Sequence, residues 1–150
     1  MKQKFNLIRL ILVIMFVNVQ LMACADNDKI IRFDQLPAAA QQFVNKHFAG
    51  KKVALVKMDN EIVYRDYELY FDNGGKIEFD KKGNWTDIEC VNGSVPGAVV
   101  PVAIANYVKQ NYPGVSIIKI DRDRNGYDIK LSNRMEIEFN KRMQVVDIDM

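Results

Sequence analysis

Asp121-Arg122-Asp123-Arg124-Asn125-Gly126 sets side-chain oxygens at alternate positions and a glycine at the sixth. That is how a loop opens when it wraps a hard cation. The twelfth place, where a bidentate glutamate would close the loop, is Ser132. The same residues also read as an Asn-Gly hairpin turn between two strands, and this is the favoured reading. A second group is Tyr64, Tyr70 and Trp85, interleaved with Asp66, Glu68, Lys76, Glu78, Asp87 and Glu89. Tyrosine and tryptophan outside a core bury much area at small entropic cost, which suits recognition of a partner. The ordinary alternative is a solvated sheet face with cross-strand Lys–Glu pairs. Outward carboxylates such as Glu78 and Glu138 could do acid–base work, but a pleated strand pattern produces them without any catalytic reason.

Few other residues offer chemistry. His47 is the single histidine and has no nucleophile or carboxylate at a telling spacing. It reads as a helix-end residue placed at the negative end of the dipole. Cys90 falls on the inward face of a strand and reads as a buried thiol, with an intermolecular disulfide as the minor alternative. With Cys24 at the end of an expected export signal, Cys90 and His47 are the one cysteine and one histidine that remain, and they cannot supply a four-ligand zinc site of the usual kind. No nucleophile–base pair or glycine-rich phosphate loop is present, so no catalytic residue, metal site or cofactor is assigned.

The elements that must position these residues follow from periodicity. Pro37 suits a helix start, and Leu36, Ala40, Phe43 and Val44 recur at helical spacing until Gly50. Strands are expected at Val53–Met58, Ile62–Phe71, Lys76–Asp80 and Trp85–Cys90, with Asp72-Asn73-Gly74-Gly75 as a hairpin. In the fourth strand alternation puts Thr86, Ile88 and Cys90 inward and Trp85, Asp87 and Glu89 outward. After a Gly/Pro/Asn/Ser linker, Val91 to Gly97, a helix is expected from Pro101 to Tyr112. Strands then follow at Ser116–Asp121, Tyr127–Leu131, Met135–Asn140 and Gln144–Asp149. Regular alternation implies a sheet with one dry and one wet face, the helices covering the dry one.

The pattern occurs twice. Pro37, Ala39, Val44, Gly50 and Asp59 match Pro101, Ala103, Val108, Gly114 and Asp123 at a spacing of 64. Tyr67, Asn73, Ile77, Glu78, Phe79, Lys81, Asp87 and Ile88 match residues 60 positions later. Such a period describes a duplicated supersecondary unit and says little about chemistry.

Lys2, Lys4 and Arg9, the apolar run Leu10–Val17 and the small residues of Ala23-Cys24-Ala25 read as an export signal over 1–25. The run is too short and interrupted for a membrane span. Cleavage is expected near Ala25. The alternative is a lipobox, Leu21-Met22-Ala23-Cys24, with a lipid anchor at Cys24. Residues 26–35 are expected to be flexible. The whole chain holds 21 Lys+Arg against 19 Asp+Glu, and losing Lys2, Lys4 and Arg9 leaves 18 against 19. A net charge of −1 has no sustained basic face, which excludes a nucleic-acid partner.

The segments Leu36-Pro37-Ala38-Ala39, His47-Phe48-Ala49-Gly50 and Lys76-Ile77-Glu78-Phe79-Asp80-Lys81-Lys82-Gly83-Asn84-Trp85, with Val100-Pro101, Asn111-Tyr112-Pro113-Gly114 and Met135-Glu136-Ile137-Glu138-Phe139, carry a resemblance. The chain resembles PepSY-like exported bacterial proteins with a beta-lactamase-inhibitor-like fold. The resemblance implies an α+β fold over 36–150. It comprises two tandem helix-plus-four-strand repeats (36–90 and 95–150) in one antiparallel sheet, helices on one face. The export signal and the open face point to a periplasmic or secreted, non-enzymatic module that binds an unidentified protein or peptide through that face; inhibition of an extracellular hydrolase is what the resemblance implies. Tyr64, Tyr70, Trp85, Glu68, Glu78 and Asp87 are the expected contact residues. A small-ligand or calcium-binding envelope protein is the alternative.

Overall fold

The computed structural model describes residues 28–60 and 65–150. Expectations for the export signal, for Cys24 and for Tyr64 lie outside these residues. A short strand β1 (Lys29–Ile31) and a 3-10 turn (Phe33–Gln35) precede helix α1 (Ala38–His47). Strands β2 (Val53–Asn60), β3 (Arg65–Phe71), β4 (Lys76–Phe79) and β5 (Trp85–Glu89) follow. Helix α2 (Val102–Asn111) then leads into β6 (Ile117–Arg122), β7 (Gly126–Leu131), β8 (Glu136–Asn140) and β9 (Val145–Asp149). The nine strands of the described residues form one sheet in sequence order, every neighbour antiparallel.

The helices start and stop as their sequences dictate. Pro37 and Pro101 sit at the N-caps with φ of −53° and −54°. Each helix closes on a 2.8 Å backbone bond, Phe48 N–H to Val44 O and Tyr112 N–H to Val108 O. The apolar stripes of both helices join one core. Phe43 of α1 packs on Phe79 and Trp85, Phe48 on Phe71, and Tyr107 of α2 edge-on to Phe139.

Register turns the strand pattern into rows. Ile31, Val56, Leu69, Ile77, Ile88, Ile120, Ile129, Ile137 and Ile148 stand directly opposite one another in succession, one from each strand. This aliphatic row crosses the whole sheet beneath the helices, and its members from Val56 to Ile137 are buried. Burying a side chain of this size stabilises by about 1.5–3 kcal/mol, so the row is the sheet's main adhesive.

Two expectations are corrected. The segment 26–35 is not loose in its described part, since β1 pairs with β2 and adds a ninth strand. Three residues without alternation carry no strand signal of their own; pairing with a longer neighbour holds them. Trp85 is not on the wet face. Glu78 opposes Asp87 while Phe79 opposes Trp85, so Thr86 is an extra residue in β5. The bulge turns Trp85 to the helix side, where it is only 7% exposed.

Candidate functional site

The face away from the helices carries a second set of rows. In the central one Lys57, Glu68, Glu78, Asp87, Asp121, Asp128, Glu138 and Asp147 oppose one another strand by strand. From β3 to β9 every member is a carboxylate. Like charges directly opposite one another destabilise a sheet, so folding alone does not account for the row. The neighbouring row, Tyr70, Lys76, Glu89, Lys119, Lys130, Glu136 and Asp149, mixes signs.

The flanking cations and Tyr70 answer one end of the acidic row. Tyr70 donates its hydroxyl to Glu68 at 2.6 Å, Lys76 lies 2.5 Å from Glu78, and Lys119 lies 2.9 Å from Asp87 Oδ2. The bond to Glu68 raises the Tyr70 pKa, and the bond to Asp87 raises that of Lys119. Asp87 is 4% exposed, and its Oδ1 has no hydrogen-bond partner among the described residues. Among the described residues, no hydrogen bond or ion pair holds the carboxylates of Asp121, Asp128, Glu138 or Asp147. They line an open groove of about 580 Å³ together with Lys119 and Lys130. Burial, then the Asp87 charge, pushes Asp121 up; burial, then Asp123 and Glu136, pushes Asp128 up. Beyond the row, Asp66 stands opposite Asp59 and is pushed up by burial first and that neighbour second.

Of the expected contact residues, Tyr70, Glu68, Glu78 and Asp87 share this face. Trp85 lies on the other side, its ring under the Arg122 guanidinium at 4.0 Å, with Arg122 Nε donating to its carbonyl at 2.6 Å. Glu78 and Glu138 are four strands apart and cannot act as an acid–base pair. The turn after Asp121 is a hairpin corner. Asp123 accepts the amides of Asn125 at 2.6 Å and Gly126 at 3.1 Å, which lowers its pKa and commits its oxygens. A Cβ at Gly126 would overlap the Phe139 carbonyl, so a glycine is required there by packing alone. His47 ends α1 with its ring 4.9 Å from Phe43, and Cys90 is half-buried, its thiol pushed up by burial.

Sequence reasoning missed Lys119 and Asp121 as members of the site. Asp121 is expected both at the end of the strand Ser116–Asp121 and as the first residue of the candidate loop, and neither reading puts it opposite Asp87. Among the described residues no group of three or more His, Cys, Asp or Glu converges on a point that could hold a metal ion. No helix among them is long and apolar enough to cross a membrane.

A family model described as "Putative beta-lactamase-inhibitor-like, PepSY-like" matches residues 65–147, more than half of the chain. The chain belongs to the PepSY-like family. Among solved structures, this PepSY-like chain is similar to a Bacteroides thetaiotaomicron protein described as a "putative calcium-regulated periplasmic protein". Identity is 49%, the TM-score 0.81, and 84% of this chain and 99% of that one are covered. A "putative periplasmic protein" from Bacteroides vulgatus matches at 48% identity with the same coverage and TM-score. Another from that organism, of unknown function, matches at 35% identity over 82% of this chain and 99% of that chain, with a TM-score of 0.77. No curated protein matches. Like these relatives, the PepSY-like chain is a periplasmic or secreted protein.

Proposed function

We propose that the chain is an exported, non-enzymatic binding module that takes a cationic ligand on its open sheet face, with calcium the first ligand to test. The observation that carries this is the run of seven carboxylates in unbroken register from Glu68 to Asp147. The sheet accepts their mutual repulsion on a face where the fold needs no particular residue. A positive ligand relieves that repulsion. The description of the 49% identical relative as calcium-regulated supports the choice of ion.

A thermal melt of the exported domain with calcium chloride tests it, with sodium chloride at matched ionic strength as control. Binding to the native state alone stabilises by about 1.4 kcal/mol at ten times Kd, and extracellular calcium modules have Kd of about 0.1–1 mM. A rise in melting temperature with calcium beyond the salt control is expected. The same melting temperature in both would sink the calcium reading.

The runner-up is a protein or peptide partner on the same face, hydrolase inhibition included, which the family description supports. It has lost its tryptophan anchor, since Trp85 is buried. Tyr70 remains, half-buried beside Glu68.

The finer architectural reading, two duplicated halves, has support of the same kind. Extra residues bulge at Ala54 and Ile118, 64 apart, and at Thr86 and Val146, 60 apart. These are the two spacings of the sequence repeat.

A further inference from the structure

Among the described residues, strand β9 lacks the outer neighbour that β5 has. On their inner sides the two are paired alike: Ile77 and Glu78 oppose Ile88 and Asp87, as Ile137 and Glu138 oppose Ile148 and Asp147. Both hairpins close on the same bond, from Asp80 N–H to Asn84 O at 2.8 Å and from Asn140 N–H to Gln144 O at 2.9 Å. The backbone therefore alternates in the same phase along both strands. Just past β5 the Cys90 N–H points outward and donates to Ile118 O of β6 at 2.8 Å. The same phase turns the Ile148 and Met150 amides away from β8. Ile88, under the cover of β6, is fully buried, whereas Ile148 is 41% exposed and Val146, Asp147 and Asp149 are exposed with it. An edge strand with bare amides is a template for a further strand.

The strand that covers β5 shows what fits such an edge. β6 sets Ile120 opposite Ile88 on the helix side and Lys119 opposite Glu89 on the open side, with Lys119 Nζ 2.9 Å from Asp87 Oδ2. The corresponding places on β9 are Ile148, Asp149 and Asp147, and among the described residues no hydrogen bond or ion pair holds either carboxylate. We infer that the outer edge of β9 is a docking strand for an extended segment of another protein in which lysine or arginine alternates with aliphatic residues. The segment pairs with the Ile148 and Met150 amides. Its aliphatic side chains lie against Ile148 on the helix side, and its cations meet Asp147 and Asp149 on the open side. The edges of a second copy of this chain do not fit. Antiparallel pairing of two β9 strands sets aspartates among aspartates, and like charges across a sheet repel. Ile31 of β1 shares the buried row of Val56, so β1 presents Ile30 on the open side and Lys29 on the helix side, the reverse of what β9 needs. The edge holds this role whether or not the open face binds calcium.

Titration of the isotope-labelled exported domain with the peptide acetyl-Lys-Ile-Lys-Ile-Lys-amide, followed by NMR and amide hydrogen exchange, tests this. Saturable binding with Kd below about 1 mM is expected. The Ile148 amide should exchange at least about tenfold more slowly in the complex. N-methylation of both peptide isoleucines removes the donors that face β9 and keeps the charge; it should weaken binding by about tenfold. Asp149→Lys, an exposed change that the fold tolerates, should weaken it by about three- to tenfold. The peptide acetyl-Glu-Ile-Glu-Ile-Glu-amide should not bind. Absence of saturable binding by the lysine peptide overturns the inference. So does binding that N-methylation leaves unchanged, because the lysines then sit on the acidic face without adding a strand. Protection of Ile148 that grows with protein concentration in the unliganded domain overturns it as well, since the edge then takes a second copy. Each of these failures leaves the calcium reading standing.

Discussion

Helix α1 with strands β2–β5 and helix α2 with strands β6–β9 follow one element order, yet they differ in what surrounds them. Strand β5 is paired on both sides, by β4 and β6, whereas β9 is, with β1, an edge of the sheet. In both halves a bulge puts one residue opposite a buried phenylalanine: Trp85 faces Phe79, and Val145 faces Phe139. Trp85 is enclosed by Phe43, Arg122 and the body of the sheet. Val145 sits at the margin beside Val146, which is 55% exposed. On the open face the asymmetry concerns charge. Glu68, Glu78 and Asp87 have answering groups, while among the described residues no hydrogen bond or ion pair holds Asp121, Asp128, Glu138 or Asp147, which line a groove with Lys119 and Lys130. One architecture thus supplies a half whose open-face carboxylates are paired and a half whose carboxylates are not. A position's chemistry depends on its neighbours across the sheet more than on its place in the pattern.

The strongest way to break this comparison is to truncate the paired bulge residues. Trp85→Ala removes a buried ring stacked on Phe43 at 6.4 Å and capped by Arg122. It should cost about 3–5 kcal/mol. Val145→Ala, at the edge, should cost about 1 kcal/mol. Urea denaturation of both variants measures the difference. Equal losses would mean that the two positions are enclosed alike. A harmless Trp85→Ala would restore the tryptophan to the recognition face.

The same pair shows what was legible in the sequence. Helical and two-residue periodicities located both helices and eight strands, because those patterns express local burial. Tyr70, Glu68, Glu78 and Asp87 were placed on the open face by the same alternation. A bulge leaves no local mark: Thr86 looks like any strand residue, and counting by twos through it sent Trp85 to the wrong side. Register across the linker was equally hidden. Nothing near Asp87 announces that Asp121 lies opposite, since that pairing depends on how α2 returns the chain to the sheet. The acidic row was therefore visible as scattered strand residues and invisible as a line.

A smaller effect separates the turns. Gly74 and Arg134 occupy equivalent hairpin corners, with φ of 87° and 76°, each donating its amide to the residue three before it at 3.0 and 2.9 Å. Gly83 and Met143 form the other pair, with φ of 83° and 61°. Glycine takes this conformation freely, whereas other residues lose about 1–2 kcal/mol. At Gly83 a Cβ would also crowd the start of α1, 2.8 Å from Ala40 N. At Gly74 it would meet only a Val91 methyl at 3.8 Å, so the cost there is conformational alone. Gly74→Ala should lose about 1 kcal/mol. Arg134→Gly should gain about 0.5 kcal/mol, because relief of the strained φ is partly offset by the freer unfolded chain. Paired denaturation curves would show whether the second half carries this backbone cost; a destabilised Arg134→Gly would show that it does not.

The smallest effect bears on the charge asymmetry. Burial first and the Asp87 charge second hold the Asp121 pKa above its ordinary value. A carboxyl raised in the folded state still binds a proton that the unfolded chain has released. Stability from this group is therefore present at low pH and is lost as pH rises through the window between the ordinary and the raised values. Above that window the repulsion is fully felt. Asp121→Asn should consequently be more stable than wild type at neutral pH, by about 0.5 kcal/mol once solvent screening is allowed for. The gap should close as pH falls through the same window. Glu78→Gln gives the contrast, because it strands Lys76 without its partner and should bring no gain at neutral pH. Urea denaturation of both variants across pH reads the two halves against each other. If Asp121→Asn shows no advantage at neutral pH, the second half carries no unanswered charge, and the acidic row loses its claim to a ligand.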